Sequence, residues 1–321
     1  LQALVKLALE PQWEAKFEPN SYGFRPARSC HDAMTAIFLA IKHKSKYVLD
    51  ADIAKCFDKI NHEKLLTKLE TYPELRNQIR DWLKCGVLDD GTLFPTDEGT
   101  PQGGVISPLL ANIALHGMEN LVKEYFKNLK GVGKANENAL SLIRYADDFV
   151  ILHENLEIIK DCQKLIQTWL IEMGLELKPS KTKISHTLNE YERNVGFNFL
   201  GFTVRQFPVG KHHSGKSTIG KLLGFKTLIK PSDEKVKSHN KKINQVIRKH
   251  KSSPQKVLIK ELNPIIRGWS NYYATVVSKE TFSACDATNY AQLKRWAERR
   301  HPKKTKTWVA NKYWHSEGNR N

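Results

Sequence analysis

Paired cysteines, zinc-type spacings and long apolar runs are what this 321-residue sequence lacks. Its five cysteines, Cys30, Cys56, Cys85, Cys162 and Cys285, are odd in number, far apart and never spaced CxxC. That excludes a disulfide scaffold and a zinc ribbon or finger, and it fits a reducing compartment. No uninterrupted apolar stretch approaches the roughly 20 residues a membrane helix needs, so no membrane span is expected. No signal or transit peptide is visible either. Residues 1–10 (LQALVKLALE) read as an amphipathic helix without a cap or an initiator Met, which predicts an excised fragment. Acidic residues run short at one end only. Residues 201–321 hold 26 Lys and Arg against 7 Asp and Glu, whereas residues 1–200 hold 25 against 27, so the net +17 arises in the last third. Such a field attracts a polyanion by displacing its counterions, which predicts a nucleic-acid partner and salt-sensitive binding. The basic segments are interleaved with ordinary helix cores and carry no lipidation motif, so an anionic membrane surface is the weaker reading.

The first 46 residues are expected to be helical, broken by an ordered loop, FEPNSYGFRPARSC, at 17–30. KYVLDADIAKCF (46–57) alternates as a strand does, placing Val48, Asp50 and Asp52 on one face. Residues 60–88 return to helix through Ile60, Leu65, Leu66 and Leu69, a loop follows at 89–104, and a helix is expected over 108–129. In LIRYADDFVILH (142–153) two β-rich runs meet at Asp147–Asp148, the composition of a tight hairpin with acids at its tip. A helix over 155–173 and a strand over 197–207 complete a mixed α+β order. Beyond Pro208, a Gly- and Lys-rich linker (208–224) leads to basic helices at about 233–251, 254–268 and 279–299. No internal repeat is present. GKHHSGKS (210–217) fits the P-loop pattern letter for letter, but Gly220 and Gly224 interrupt the helix that pattern requires, so a basic linker is expected there.

Asp52 and the Asp147–Asp148 pair lie about ninety residues apart, and a sheet can bring them together. Clustered carboxylates with water suit Mg²⁺, and two such ions would serve in-line substitution at phosphorus. An Asp-Asp pair by itself is equally what a solvated turn shows.

Taken in order, FEPNSYGFRPARS (17–29), DADIAKCFDKINHEKLL (50–66), GTPQGGVISPLLANIAL (99–115), RYADDFVIL (144–152), LKPSKTKI (177–184), FLGF (199–202) and IRGWSNYY (266–273) resemble the reverse transcriptases encoded by group II introns, also called maturases. The resemblance runs essentially from end to end. It implies an α+β right-hand polymerase with an antiparallel palm sheet, partial fingers (1–46), a palm (47–207) with interleaved finger elements at about 64–103, a linker (208–224), an α-helical thumb (225–300) and a basic tail (301–321). It also implies finger segments with no counterpart before Leu1, and DNA-binding and endonuclease domains with none after Asn321.

By the same resemblance, Asp52 and Asp147 are catalytic, metal-bridging carboxylates, supported by Asp148 and by the Ile53 carbonyl. Phe57 takes the steric-gate position against a ribose 2′-hydroxyl, Gln102 contacts the incoming nucleotide, and Arg25, helped by Arg28, holds the triphosphate through its guanidinium fork. Lys181 sits near the leaving pyrophosphate, and Phe199, Leu200, Gly201 and Phe202 form the primer grip. Lys241, Lys242, Arg248, Lys249, Lys251, Arg267, Arg295, Arg299 and Arg300 are expected to bind nucleic acid, with stacking platforms among the neighbouring aromatics. Asp50 is expected as an outer partner of the acids and Asp58 as a helix cap. The implied function is RNA-directed DNA synthesis from a primer 3′-hydroxyl and dNTPs with two Mg²⁺ ions, together with binding of the intron RNA to assist splicing and mobility. The implied partners are group II intron RNA, an RNA template with a DNA primer, and target DNA. A non-catalytic splicing maturase and a CRISPR- or defence-associated reverse transcriptase remain alternatives. The expected setting is a cytoplasmic bacterial ribonucleoprotein, or an organelle.

Overall fold

The computed structural model describes residues 1–85, 87–89, 92–94, 98–100, 104–129 and 139–314, so Gln102 and Gly103 of the PQGG motif lie outside the described residues. The chain divides into two compact units, one of residues 1–200 with 205–227, the other of residues 201–204 with 228–321.

The first unit opens with α1 (Gln2–Glu14) and α2 (Cys30–Ile41), separated by the predicted loop. Ser29 and Asp32 start α2 with a complete capping box, each side chain bonding the other residue's backbone N–H. β1 (Tyr47–Asp52) follows, then the short helix α3 (Cys56–Lys59). The helix expected over 60–88 is two helices, α4 (His62–Lys68) and α5 (Pro73–Lys84). Pro73 favours a first-turn position, and Glu70 turns the chain with φ +49°. A small hairpin, β2 (Val87–Asp89) and β3 (Thr92–Phe94), replaces the last residues expected as helix and the start of the expected loop. The helix expected over 108–129 is likewise divided into α6 (Ser107–Leu115) and α7 (Met118–Lys127), because Gly117 adopts φ +98° between them. β4 (Ser141–Tyr145), β5 (Asp148–His153) and β6 (Lys183–His186) complete the unit's main sheet, with α8 (Leu156–Glu172) between the last two.

That sheet has the order β4-β5-β1-β6 and is antiparallel throughout. Its inner face is built from residues such as Leu49, Ala51, Phe149 and Ile151, buried with α4, α6 and α8 side chains in one core. Burying each such aliphatic or aromatic side chain contributes roughly 1.5–3 kcal/mol. Because side chains alternate, the residues between them put Asp50 and Asp52 on the opposite face.

The strand expected over 197–207 is instead a hairpin, β7 (Phe197–Phe199) and β8 (Phe202–Pro208), turned at Leu200 (φ +50°) and Gly201 (φ +82°). β9 (Phe225–Pro231) joins it to give the order β7-β8-β9. In the intervening basic segment, Lys211–His213 make a single 3-10 turn and Lys216 bridges to Leu222, so no helix starts at the P-loop-like lysine.

The second unit is helical: α9 (Asp233–Lys249), α10 (Gln255–Tyr273), α11 (Lys279–Arg300) and α12 (Lys306–Tyr313). Its core joins Ile243 and Ile247 of α9, Leu258 and Leu262 of α10, Trp296 and Ala297 of α11, and Val309 of α12. The segment expected as a tail therefore supplies a core helix. A second cluster stacks His239 on Trp269 at 4.3 Å and sets Trp269 against Tyr273 and Phe282. No described helix is long and apolar enough to cross a membrane.

Candidate active site

The β1–β5 register pairs Asp52 with Asp148 directly, and the Ile53 amide donates to the Asp147 carbonyl at 3.2 Å. All three acids thus meet at one end of the sheet. Asp52 is 7% exposed, while Asp147 and Asp148 are half-buried. Desolvation, reinforced by the Asp52 charge, raises the Asp147 pKa; desolvation and the charges of Asp52 and Asp147 raise that of Asp148 to about 6. Asp50, paired with Lys183 across the β1–β6 register, is pushed up to about 7 by burial first and by Asp148 second. Lys181 supplies the nearest cation: its ammonium donates to Asp52, and that hydrogen bond raises the lysine's own pKa. Among the described residues, no three His, Cys, Asp or Glu side chains form a ready-made metal cage. The donor set is carboxylate and backbone oxygen, the chemistry that suits a hard divalent ion completed by water or substrate.

The acids are held by a turn that is strained in itself. β4 and β5 are joined by two residues, Ala146 and Asp147, and Ala146 takes φ +57° where two-residue hairpins ordinarily use glycine. Arg144 braces it. This residue is 1% exposed, and its guanidinium donates to the Ala146 carbonyl (3.0 Å), Asn112 Oδ1 (3.1 Å) and Ser21 Oγ (2.7 Å). Burial lowers its pKa to about 10, still far above neutrality. Asn112 Nδ2 in turn donates to the Gly23 carbonyl at 2.8 Å, and the backbones of Asn20, Tyr22 and Arg144 exchange two further bonds. A Cβ on Gly23 would lie 2.3 Å from the Ala146 nitrogen, so only glycine lets the 17–29 loop approach the turn this closely. Sequence reading missed Arg144 and Asn112. The signal available was an arginine inside an otherwise apolar strand.

The structure places Arg25 within the 17–29 loop's own polar network. Its side chain is buried and donates to Glu14 (2.8–3.0 Å) and to the carbonyls of Glu18 and Ser21 (both 2.8 Å), so it braces the loop. Arg28 is less buried, donating to the Pro19 carbonyl and lying over the Tyr22 ring. Further polar anchors of the same loop are Glu18, which accepts from the Gly117 amide at 2.6 Å, and Glu119, which accepts from Asn20.

Phe57 stands on α3, half-buried, with the exposed Phe24 ring edge-on at 5.9 Å. Its carbonyl accepts from the Thr100 amide, and a Cβ on Gly99 would lie 2.5 Å from that oxygen. Asp58, exposed and in the first turn of α3, has Lys55 as its helix's N-cap residue. Of the primer-grip residues, Phe199 and Phe202 are buried on either side of the Leu200–Gly201 turn, and within the second unit Tyr273 Oη donates to the Gly201 carbonyl at 3.0 Å. Lys241, Lys242, Arg248, Lys251, Arg267, Arg295 and Arg299 are exposed on the helical unit. Lys249 is paired with Glu261, and Arg300 donates to the carbonyls of Lys251 and Ser253.

Residues 1–204 match the family model described as reverse transcriptase (RNA-dependent DNA polymerase). The chain belongs to that family. Residues 236–314 match the group II intron maturase-specific domain, so the helical unit carries a maturase domain. The group II intron-encoded protein LtrA of Lactococcus lactis subsp. cremoris is 29% identical over an alignment covering 92% of this chain and 58% of LtrA. Protein YkfC of Escherichia coli is 32% identical, covering 63% of this chain and 59% of its own. The chain thus spans under two thirds of the length of these relatives. Among solved structures, apo telomerase from Candida tropicalis truncated from its C-terminal domain superposes with a TM-score of 0.51 at 16% identity, covering 63% of this chain and 43% of that one. That likeness shows the fold, an α+β right-hand polymerase. Reverse transcriptases as a family use divalent metal ions.

Proposed function

We propose that this chain is an RNA-directed DNA polymerase of a group II intron, extending a primer 3′-hydroxyl with dNTPs on an RNA template, and that its maturase domain binds the intron RNA to assist splicing and mobility. The observation that carries the reading is the Asp52–Asp148 register, which gathers three carboxylates at the sheet end within a chain that matches the reverse transcriptase family.

Asp52, Asp147 and the Ile53 carbonyl would hold two Mg²⁺ ions, with Asp148 in support. Bound there, such ions would acidify the primer hydroxyl and neutralise charge on the leaving pyrophosphate. The acids fit that task because they are desolvated together and share a single nearby ammonium, an arrangement that favours added positive charge. The Arg144 brace keeps Asp147 aimed without reorganisation at the moment of reaction. Lys181, exposed and beside Asp52, can pass from that carboxylate to the departing pyrophosphate and donate a proton to it. Phe57, backed by Phe24, offers a ring edge against a 2′-hydroxyl and so selects deoxynucleotides. The basic helical unit grips RNA through phosphate contacts, which position a helix without reading its sequence.

Primer extension on an RNA template tests the reading. Wild-type protein is expected to incorporate dNTPs, and Asp147→Ala to lose about 10³-fold or more of the rate. Equal extension by both proteins overturns the assignment.

A further inference from the structure

In the helical unit, a cavity of about 610 Å³ opens between α9 and the C-terminal half of α11. That volume falls within the roughly 300–1,000 Å³ of pockets that enclose a small ligand. Among the described residues that line it, none is acidic. Arg248, Lys251, Arg295 and Arg299 stand exposed around it, and no described carboxylate pairs with any of them. Four cations converging on a concavity raise the local potential well above that of the same charges spread along a convex helix face.

The floor differs in character from the rim. Trp296 is 6% exposed, and its indole N–H is fixed on the His250 carbonyl at 2.8 Å. The Arg300 guanidinium lies 4.7 Å over that ring, held by bonds to the carbonyls of Lys251 (2.9 Å) and Ser253 (2.8 Å). A guanidinium pinned in this way offers a flat cationic surface at little further cost in side-chain entropy. On the wall, Asn244 of α9 donates to Gln292 of α11 at 3.3 Å, which brings two amide groups to the cavity.

We infer that this cavity is a receptor for an unpaired RNA nucleotide, its base laid on the Arg300–Trp296 stack and its flanking phosphates held by the rim cations. The inference rests on the RNA-binding part of the proposed function and specifies which RNA chemistry the maturase domain selects. A double helix presents phosphates on a convex rod and meets a concavity only at its rim. A nucleotide splayed from a loop or bulge can enter it, and sequence-tolerant stacking on aromatic and arginine planes is how unpaired bases are commonly held. The wall amides are placed for a base edge or a 2′-hydroxyl, which a deoxyribose lacks.

The test uses the full chain with a short single-stranded oligouridine, a blunt RNA duplex of the same length, and the corresponding single-stranded DNA, each followed by fluorescence anisotropy. Arg295→Gln/Arg299→Gln is expected to weaken oligouridine binding about tenfold or more and to reduce its log–log salt slope by ~1.4, at ~0.7 per lost phosphate contact. Duplex binding is expected to fall much less, and the single-stranded DNA to bind wild type more weakly than the RNA. An equal loss for single strand and duplex, or no loss, overturns the pocket. Photocrosslinking of thiouridine-substituted RNA to wild-type protein needs no variant: adducts are expected within 244–252 and 292–301, and adducts confined elsewhere contradict the inference. Wild-type protein that crosslinks here but extends no primer removes the polymerase reading and leaves the pocket standing; extension with crosslinks elsewhere does the reverse.

Discussion

Removing the Arg144 guanidinium leaves Asn112 Oδ1, Ser21 Oγ and the Ala146 carbonyl without their donor in a fully buried setting. Stranded buried acceptors cost ~1–3 kcal/mol each before relaxation, so Arg144→Met is expected to lower unfolding stability by about 3 kcal/mol or more. Arg144→Lys recovers only part of this, because one ammonium cannot reproduce a planar fork. Urea midpoints measure both, and a loss under about 1 kcal/mol for the Met variant contradicts the bracing role. Asp148 gives a second residue-level test. Burial, reinforced by the charges of Asp52 and Asp147, pushes its carboxyl up to about 6 from the ordinary 3.8, so the fold favours the protonated form. The associated stability is complete below about pH 3.8 and is lost as pH rises through about 6. Asp148→Asn should therefore raise the melting temperature in divalent-free buffer near pH 8, with the gain vanishing near pH 4. A gain that grows on acidification has the wrong sign and refutes the desolvated-acid picture.

At the scale of elements, the close approach of the 17–29 loop to the β4–β5 turn makes opposite predictions for two glycines. Gly23→Ala puts a Cβ into the Ala146 backbone, which must move, and a loss of ~1–3 kcal/mol together with reduced primer extension is expected. Gly268, inside α10 with nothing within 4 Å of its would-be Cβ, should gain up to ~1 kcal/mol as alanine. Thermal denaturation of the two variants compares them directly, and a shift of the same sign for both contradicts the packing account. These elements also show what was legible beforehand. The acidic hairpin and the DADI strand were, because alternation and turn chemistry act over a few residues. The breaks at Pro73 and Gly117 had their signals in the sequence, yet the flanking apolar period ran through them and concealed the division. The Leu200–Gly201 turn was hidden in the same way, since both of its arms are apolar. Arg25, Arg144, Asn112 and Glu119 were not readable as a network: their partners lie up to 123 residues away in the chain, and only the folded topology selects which arginine braces the loop and which could face a ligand.

For the whole molecule, chemistry and charge are separated along the chain. The sheet unit holds the carboxylates within a segment of net −2, while the cationic excess of +19 belongs to residues 201–321. The end-to-end motif order made this division readable at the level of family, whereas the core role of α12 was masked by its lysines, which occupy the outer side of a helix anchored by Val309. The central claim is that Asp52 and its neighbours act on phosphorus through bound divalent ions. Single-nucleotide incorporation by wild type and Asp52→Asn, each with and without chelator, tests it most directly. The account predicts incorporation by wild type that ceases when divalent ions are removed, and a rate reduced by about 10³-fold or more for Asp52→Asn at any ion concentration. Undiminished incorporation by Asp52→Asn, or by wild type in excess chelator, contradicts it.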